Sequence, residues 1–241
     1  MKILILFFLF FAISSCENFN ESRLNLNVDP LTQAYKKNNV EYYLKIVSGK
    51  DTIYTIDSVC VNKNGLITLE RTKKGWFSES SNEYDSLNRI IKSEHNSDIH
   101  YKSKMKYKLD KKSKNVNGFT YSYSGYSQSL KTKLVAIMYY KFGNDRLVEE
   151  ILYDIESKDT VRINKYLYDS NNKIRKILRK NVKEKYKDTT EYKYNKNNIL
   201  IEIVGSGEVK HISQKTGLID SVKQKYPNER ITYKYYFRRQ K

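Results

Sequence analysis

Cysteine, histidine and proline are scarce in this chain of 241 residues, which contains two, three and two of them. Two cysteines allow one disulfide at most, so packing and hydrogen bonds must hold the fold together. The sequence also contains no His-Glu-x-x-His and no Cys-x-x-Cys pattern. These absences exclude a disulfide-stapled fold and the common zinc motifs.

Side chains that could do chemistry together are equally few. His95 and His100 lie on either side of a turn that contains Asp98, and such a group could hold a metal, but two solvent-facing hairpin residues are the simpler interpretation. Glu149 and Glu150 are adjacent in a strand-like run, where neighbouring side chains point to opposite faces, so they cannot act as an acid-base pair. We therefore predict no catalytic residue, no cofactor and no metal.

No apolar run reaches the roughly 20 residues that a membrane-spanning helix requires. The longest follows Lys2, extends from Ile3 to Ile13 and leads through two serines to Cys16. A short positive region, an apolar stretch of this length and small residues after it are typical of an export signal. We predict that residues 1–15 are a signal peptide.

Residues Ile13-Ser14-Ser15-Cys16 resemble the lipobox of bacterial lipoproteins, where an aliphatic and two small residues precede the cysteine that is lipidated. The resemblance implies that Cys16 is acylated and anchors the protein at the outer membrane, at about 0.8 kcal/mol for each buried CH₂ group. A plain secretory signal with a chance cysteine is the alternative. Cys60 has apolar, strand-like surroundings that predict a small core residue.

Acidic residues are the scarcer charged class, with 27 Asp and Glu against 45 Lys and Arg, which gives a formal charge of +18. Such a field attracts anionic polymers, including acidic glycans and lipopolysaccharide phosphates. The alternative is a genome rich in A and T, because the plentiful Lys, Asn, Ile and Tyr all have A/T-rich codons. Because the signal peptide predicts export, we do not expect nucleic acid to be a partner.

What the chain has in plenty is tyrosine, with 22 residues, and short runs rich in strand formers. Residues 16–38 are polar, and we predict that they comprise the lipidated cysteine and a flexible tether. Within this tether, Asp29 could cap one helical turn that starts at Pro30. Residues 39–241 alternate between strand-like runs and polar turns. Asn64-Gly65 is the strongest hairpin signal and predicts a type I′ turn.

A repeated unit organises this second region. Tyr166 to Ile177 reads Tyr-Leu-Tyr-Asp-Ser-Asn-Asn-Lys-Ile-Arg-Lys-Ile, and weaker copies end a strand on an aromatic or aliphatic residue before a polar turn and a second strand. The equivalent strand-end positions, 19 to 33 residues apart, are Val61, Tyr84, Leu109, Phe142, Tyr168, Tyr194, Ser213 and Tyr235. We predict an all-β fold, an antiparallel meander of repeated β-hairpins that forms a curved sheet, open or partly closed.

The Tyr-Asp-x-x-Asn-x-Ile pattern at Tyr84 and Tyr168, and more loosely at Tyr194, resembles the YD repeat of Rhs and teneurin-type proteins. With the lipobox, the chain is similar to the short lipoproteins of Bacteroidetes with degenerate YD-like or MORN-like repeats. The resemblance implies successive β-hairpins in one sheet, with Asp or Asn bonding the turn backbone and a later Asn in the left-handed conformation. It implies no active site.

We therefore predict a membrane-anchored, non-enzymatic module that binds a ligand in the cell envelope or serves a structural role there. Its partner would be the membrane through Cys16, and also an anionic glycan or a protein. The candidate binding surface comprises Tyr121, Tyr123, Tyr126, Tyr233, Tyr236, Arg238 and Arg239, unless these are ordinary sheet residues. The alternative function is a toxin-neutralising immunity lipoprotein. Residues 17–21 lack a dense acidic run, so periplasmic and surface-facing orientations both stay open.

Overall fold

The computed structural model describes residues 26, 29–49, 52–74, 77–97, 101–110, 115–124, 133–182, 187–224 and 230–238. Within these residues the chain forms one helix followed by sixteen strands. The elements are α1 (Pro30–Lys37), β1 (Val40–Ser48), β2 (Ile53–Val61), β3 (Ile67–Lys74), β4 (Glu79–Tyr84), β5 (Ile90–Asn96), β6 (Tyr101–Asp110), β7 (Asn115–Ser124), β8 (Lys133–Gly143), β9 (Arg146–Asp154), β10 (Asp159–Tyr168), β11 (Ile174–Asn181), β12 (Lys187–Tyr194), β13 (Leu200–Val204), β14 (Glu208–Ile212), β15 (Ile219–Gln224) and β16 (Arg230–Phe237).

Every strand pairs antiparallel with the next one along the chain, which confirms the predicted all-β meander. The sheet closes fully, whereas the sequence predicted an open or partly closed one. Tyr43 of β1 lies opposite both Val59 of β2 and Tyr235 of β16, so the first strand joins the last. Closure pairs the strand edges that would otherwise promote association between molecules.

The even-numbered strands all run toward the same end of the barrel, which we name the turn end. Seven of the eight predicted strand-end positions lie within the last three residues of an even-numbered strand, and Ser213 directly follows β14. The first seven predicted units therefore each supply the end of one strand and the start of the next, and the eighth ends in β16, the last strand.

Four of the described turns at this end share one hydrogen-bonding pattern. The side-chain oxygen of the residue after the strand accepts hydrogen bonds from the backbone N–H groups two and four residues later, at 2.8 to 3.1 Å. The residue three positions later has a positive φ of 59 to 81°. The accepting residues are Asn62, Asp85, Asp169 and Asn195, and the left-handed ones are Gly65, Asn88, Asn172 and Asn198.

The predicted type I′ turn at Asn64-Gly65 is wrong, because Gly65 has a positive φ and Asn64 is not among the described residues that do. The Asn62 side chain holds this turn in the longer form instead, with hydrogen bonds to the N–H groups of Asn64 and Leu66. Asn144 and Asp145 form the two-residue turn with two positive φ values, 52 and 58°, between β8 and β9.

A tyrosine links each of several hairpins to the one before it. The hydroxyl group donates to the carbonyl oxygen at the start of the preceding hairpin's second strand, at 2.7 to 2.9 Å. The pairs are Tyr84 with Ile67, Tyr107 with Ile90, Tyr168 with Leu147, and Tyr194 with Ile174. Neighbouring units are thus joined by a hydrogen bond besides the strand pairing.

A basic residue at the start of the second strand lies over the tyrosine of the following unit. Cation-to-ring distances are 4.7 Å for Arg89 over Tyr107, 5.1 Å for Arg146 over Tyr168 and 5.2 Å for Lys173 over Tyr194. These contacts explain why the repeat carries Arg or Lys after the turn.

Helix α1 lies at the turn end and fills part of it. Asp29 caps it as predicted, accepting a hydrogen bond from the Leu31 N–H at 2.9 Å, and the helix continues for eight residues rather than one turn. Asn38 ends it, with its side-chain amide donating to the carbonyls of Ala34 and Thr216 at 2.7 and 2.6 Å. Residues 29–38 therefore belong to the folded unit, and the predicted tether concerns the residues before them.

The hydrophobic core lies inside the barrel around this helix. Leu31 and Tyr35 are buried, and the Tyr35 ring lies 5.5 Å from that of Tyr43. Gly65 lies so close to the helix that a Cβ atom there would collide with the carbonyl oxygen of Thr32. The interior beyond the core is open to water, since Glu70 points inward opposite Val59 and is still exposed.

Candidate functional site

The described residues of the predicted binding surface lie on different parts of the barrel. Tyr121 lies on the outer face of β7, where the Lys106 ammonium group is 5.5 Å from its ring centroid. Tyr236 lies on the outer face of β16, and its ring stacks on Tyr42 at 4.3 Å. Strands β7 and β16 are separated by seven strand pairings in one direction around the barrel and nine in the other. These two tyrosines therefore face opposite sides.

Tyr233 and Arg238 serve the structure of the barrel. The Tyr233 ring points inside, 5.9 Å from Tyr43, and Arg238 donates to the carbonyl oxygen of Val61. Tyr123 pairs with Lys102 across β7 and β6 through the backbone. Cys16, Tyr126 and Arg239 lie outside the described residues.

The outer face of β6 carries a row of lysines that sequence reasoning missed. Lys102, Lys104, Lys106 and Lys108 alternate with inward residues: Ser103 is buried, and Tyr107 bonds the carbonyl of a neighbouring strand. Alternate residues are about 7 Å apart, so the row extends over roughly 20 Å. The Lys-Ser-Lys-Met-Lys-Tyr-Lys pattern was a usable signal, because a strand places every second residue on one face.

Like charges meet at this row. Lys104 lies directly opposite Lys92 of β5, an arrangement that costs stability. Lys92 also pairs with Glu83 at 2.6 Å, and Lys102 pairs with Glu94 at 2.7 Å. Lys104, Lys106 and Lys108 are exposed and form no ion pair among the described residues. Positive charge therefore dominates this part of the wall.

Aromatic side chains border the lysines on the same outer face. Phe119 of β7 lies opposite Lys106, Tyr121 lies opposite Lys104, and Tyr139 of β8 follows one strand further on. All three are half-buried, so their rings remain accessible to a ligand. We name this surface the basic-aromatic face: it comprises Lys92, Lys104, Lys106, Lys108, Phe119, Tyr121 and Tyr139.

A second candidate site is a cleft of about 560 Å³ at the turn end, between one face of α1 and the turns that follow β8, β10, β12 and β14. Its floor is apolar and includes Ala34, Ile199 and Leu200, besides the rings of Tyr168 and Tyr194. We name it the end cleft. Its volume falls within the usual range of ligand pockets.

Basic side chains surround the end cleft. Lys37 and Lys215 are exposed at its rim, and Arg146 and Lys173 lie over the tyrosine rings that line it. Asp29 and Asp145 are the acidic residues that line it. Among the described residues, its lining thus carries four positive and two negative side chains.

A third cavity, of about 470 Å³, lies inside the barrel beyond the start of the helix. Arg179 there contacts Asp188 at 3.4 Å and Thr190 at 2.5 Å, and Lys210 pairs with Glu208 at 2.7 Å. These charged groups are already paired with one another. The cavity is polar, and its geometry singles out no ligand.

Asp29 lines both the end cleft and the interior cavity. Burial among the barrel walls raises the pKa of its carboxyl group, while the Leu31 N–H and the Lys210 and Arg179 side chains act in the opposite direction. The carboxyl group still borders both cavities, so water and the two cations offset part of the cost of burying its charge.

Burial also raises the pKa of the inward tyrosines. The pKa is about 12 for Tyr43, Tyr107 and Tyr194, and it is shifted in the same direction for Tyr35 and Tyr140. Desolvation of the phenolate is the largest cause in each case. The hydroxyl groups therefore stay protonated at neutral pH, which hydrogen-bond donation to a carbonyl requires.

The residues considered for chemistry are dispersed. His95 bonds the Ser80 hydroxyl inside the barrel at 2.7 Å, His211 lies 3.4 Å from Glu202 on the outer face, and His100 and Asp98 are outside the described residues. Within the described ranges, no three His, Cys, Asp or Glu side chains form a group that could hold a metal.

The two neighbouring glutamates face opposite sides, as the sequence predicted. Glu149 pairs with Lys141 outside at 2.7 Å, and Glu150 accepts a hydrogen bond from Asn164 inside at 2.9 Å. Cys60 is half-buried on the outer face, opposite Leu69, rather than in the core, because the buried positions of β2 are its neighbours Val59 and Val61.

No protein-family model matches the chain, and no curated protein does. Among solved structures it is similar to a chain in the crystal structure of TcdB2-TccC3-Cdc42, with 8% identity and a TM-score of 0.29 over 69% of this chain and 12% of that chain. It is also similar to a porin-like protein from Bacteroides uniformis ATCC 8492, with 9% identity and a TM-score of 0.29 over 73% of this chain and 62% of that one. The chain spans less than two thirds of either, and likeness at this level carries no argument about function.

Among the described residues, no helix is both long enough and apolar enough to cross a membrane.

Proposed function

We propose that this protein is an exported lipoprotein, anchored to the outer membrane through Cys16, and that its barrel binds an acidic glycan without catalysing a reaction. The observation that carries the proposal is the basic-aromatic face, where exposed lysines lie beside accessible aromatic rings. Lysine attracts carboxylate, sulfate and phosphate groups, and aromatic rings stack on sugar rings. The lipobox at Ile13 to Cys16 supports the anchor.

In this proposal the barrel stands beside the membrane, in water. Ion pairs cross its outer wall on several sides, including Lys176 with Glu191 at 2.7 Å and Lys102 with Glu94 at 2.7 Å. The Lys176 side chain lowers the pKa of Glu191. A charged side chain on the lipid-facing wall of a transmembrane barrel costs up to about 2 to 4 kcal/mol. Such a wall is suited to water.

The lysine row favours an extended polymer over a single small anion. Its side chains are spaced along one strand at about 7 Å, so a chain of acidic sugars laid across it meets several cations at once. The like-charge contact between Lys104 and Lys92 also weakens when an anion lies between the two ammonium groups.

The direct test is binding of the purified protein to alginate, an acidic polysaccharide, with neutral dextran as the comparison. The double variant Lys104→Glu/Lys106→Glu should bind alginate about tenfold more weakly or worse at low salt. The matched variant Lys223→Glu/Lys234→Glu changes the same charge at exposed positions on β15 and β16 and should bind almost normally. If both variants lost alginate affinity equally, net charge alone would explain binding, and the proposal would be overturned.

A protein partner is the second candidate, as expected of an immunity lipoprotein. The observation that favours it is the run of half-buried apolar residues that continues the face across β8 to β10: Ile137, Ile151, Tyr153 and Ile163. Such a run is typical of an interface. Capture of one stoichiometric protein from envelope extracts, lost in Ile151→Glu but kept in Lys104→Glu/Lys106→Glu, would favour this function over glycan binding.

A further inference from the structure

We propose that the end cleft binds an anionic phospholipid of the membrane to which the protein is anchored. The inference rests on the proposed anchoring through Cys16, but it is independent of glycan binding on the outer wall. It concerns a different surface of the molecule and a different chemistry.

The cleft exists because α1 fills the turn end incompletely. On one side the helix is in tight contact with the wall, where Gly65 leaves no room beside Thr32. Gly217 also lies against the helix: a Cβ atom added at Gly217 would be 3.4 Å from the Cβ atom of Ala34, which is van der Waals contact. Between these contacts, the turns after β8, β10 and β12 stand away from the helix and leave the apolar floor uncovered.

The two tyrosine hydroxyls of the floor are already hydrogen-bonded. The Tyr168 and Tyr194 hydroxyls donate to backbone carbonyls at 2.8 and 2.9 Å, so these residues offer ring surface rather than hydrogen bonds to an occupant. The apolar part of this floor suits an acyl chain, which needs no hydrogen-bond partner.

The rim supplies the complementary charge for a headgroup. Lys37 projects from the last turn of α1 and Lys215 from the turn after β14, and both are exposed. An ammonium group near a membrane surface contributes to attraction by anionic lipids. In this arrangement the lipid phosphate lies between Lys37 and Lys215 at the rim, and the acyl chain lies on the apolar floor.

The anchor places this end of the barrel within reach of lipid. Leu26 packs at the turn end against Tyr107 and the turn after β4, and Cys16 precedes it by ten residues. Ten extended residues span at most about 35 Å. The turn end therefore lies within that distance of the acylated cysteine.

The test is native mass spectrometry of the full lipidated protein in detergent, titrated with dioleoyl-phosphatidylglycerol and, separately, with dioleoyl-phosphatidylcholine. We expect one tightly bound phosphatidylglycerol per chain and clear preference over phosphatidylcholine. The variant Lys37→Glu/Lys215→Glu should weaken phosphatidylglycerol binding about tenfold. The matched control is Lys36→Glu/Lys196→Glu, which changes the same charge at exposed positions that do not line the cleft.

A second variant tests the floor without changing charge. Gln33 is exposed on the helix face that lines the cleft, and Gln33→Trp should fill the space and reduce binding of either lipid.

Equal binding of both lipids, or equal loss in the cleft and control charge variants, would overturn the proposal. So would binding that occurs only after Cys16 is replaced by Ser, because the protein's own acyl chain would then be the occupant. Alginate binding and membrane fractionation, measured in parallel, report separately on the proposed function.

Discussion

The Tyr168 hydroxyl donates to the carbonyl oxygen of Leu147 at 2.8 Å, and the Arg146 guanidinium group lies over the same ring at 5.1 Å. One residue thus receives two contacts from the hairpin before it. Similar contacts recur at Tyr107 and Tyr194. The barrel is therefore held together between units by the residues that define the repeat.

Replacing Tyr168 by Phe should lower the free energy of unfolding by about 0.5 to 1.5 kcal/mol, because the hydrogen bond is lost and the Leu147 carbonyl is left with one partner fewer. Chemical denaturation followed by circular dichroism measures the change. Tyr153→Phe is the matched control on the outer face and should stay within about 0.5 kcal/mol of the parent. Equal effects would show that the contact does not stabilise the barrel.

The left-handed asparagines have a second role that explains why they are not glycine. The Asn172 side-chain oxygen accepts a hydrogen bond from Arg146 at 2.7 Å, and that of Asn198 accepts one from Asn171 at 3.1 Å. Glycine would keep the backbone conformation but lose this link between turns.

Asn172→Ala should therefore destabilise the barrel by about 1 to 2 kcal/mol, since alanine is strained at a φ of 61°. Asn172→Gly should cost less than Asn172→Ala. Thermal melts of the two variants rank them directly. A melting temperature of Asn172→Ala equal to that of the parent protein would contradict the assigned conformation.

The repeat could be predicted from the sequence because its determinants are local. The Asp or Asn that holds each turn and the left-handed residue after it act within five residues, as at Asp85 and Asn88. The closure of the sheet into a barrel could not be predicted. It depends on the pairing of Tyr43 with Tyr235, nearly two hundred residues later, and the sequence of β1 does not indicate its partner strand.

The separation of the candidate surface residues could not be predicted for the same reason. Tyr233 and Tyr236 are aromatic and near one end of the chain, but alternation along β16 directs the first inside and the second outside. The sequence contained this alternation, yet it did not show which face of the strand was the inner one. The position of α1, which fixes the inner face at one end, depends on contacts with distant turns such as the one at Thr216.

The barrel should lose stability in alkaline solution. Tyr43, Tyr107 and Tyr194 have a pKa of about 12 when folded, against 10.0 for the free side chain. Between pH 10 and pH 12 the folded state therefore keeps phenolic protons that the unfolded state has released. The contribution of these tyrosines to the free energy of unfolding is complete below pH 10 and is lost as the pH rises toward 12. Tyrosinate absorbance followed with near-ultraviolet circular dichroism tests this. Ionisation of all tyrosines near pH 10 with the fold intact would contradict the burial of these rings.

Asp29 offers a test of the helix cap. Asp29→Asn keeps a side-chain oxygen for the Leu31 N–H and removes a buried charge, so stability at pH 7 should be equal or higher. Asp29→Ala loses the cap and should cost about 1 kcal/mol. Because burial raises the pKa of this carboxyl group, the advantage of Asp29→Asn should shrink as the pH falls and the native side chain becomes neutral. Denaturant titrations at two pH values measure both effects.

The most direct test of an anchored barrel beside the membrane is to replace the lipobox, Ile13 to Cys16, with an ordinary secretory cleavage site and fractionate the cells. We expect a protein that is released with the soluble periplasmic fraction and keeps a β-sheet circular dichroism spectrum. A folded product that stays in the membrane fraction after an alkaline carbonate wash would contradict it, because the barrel itself would then be what holds the protein in the membrane.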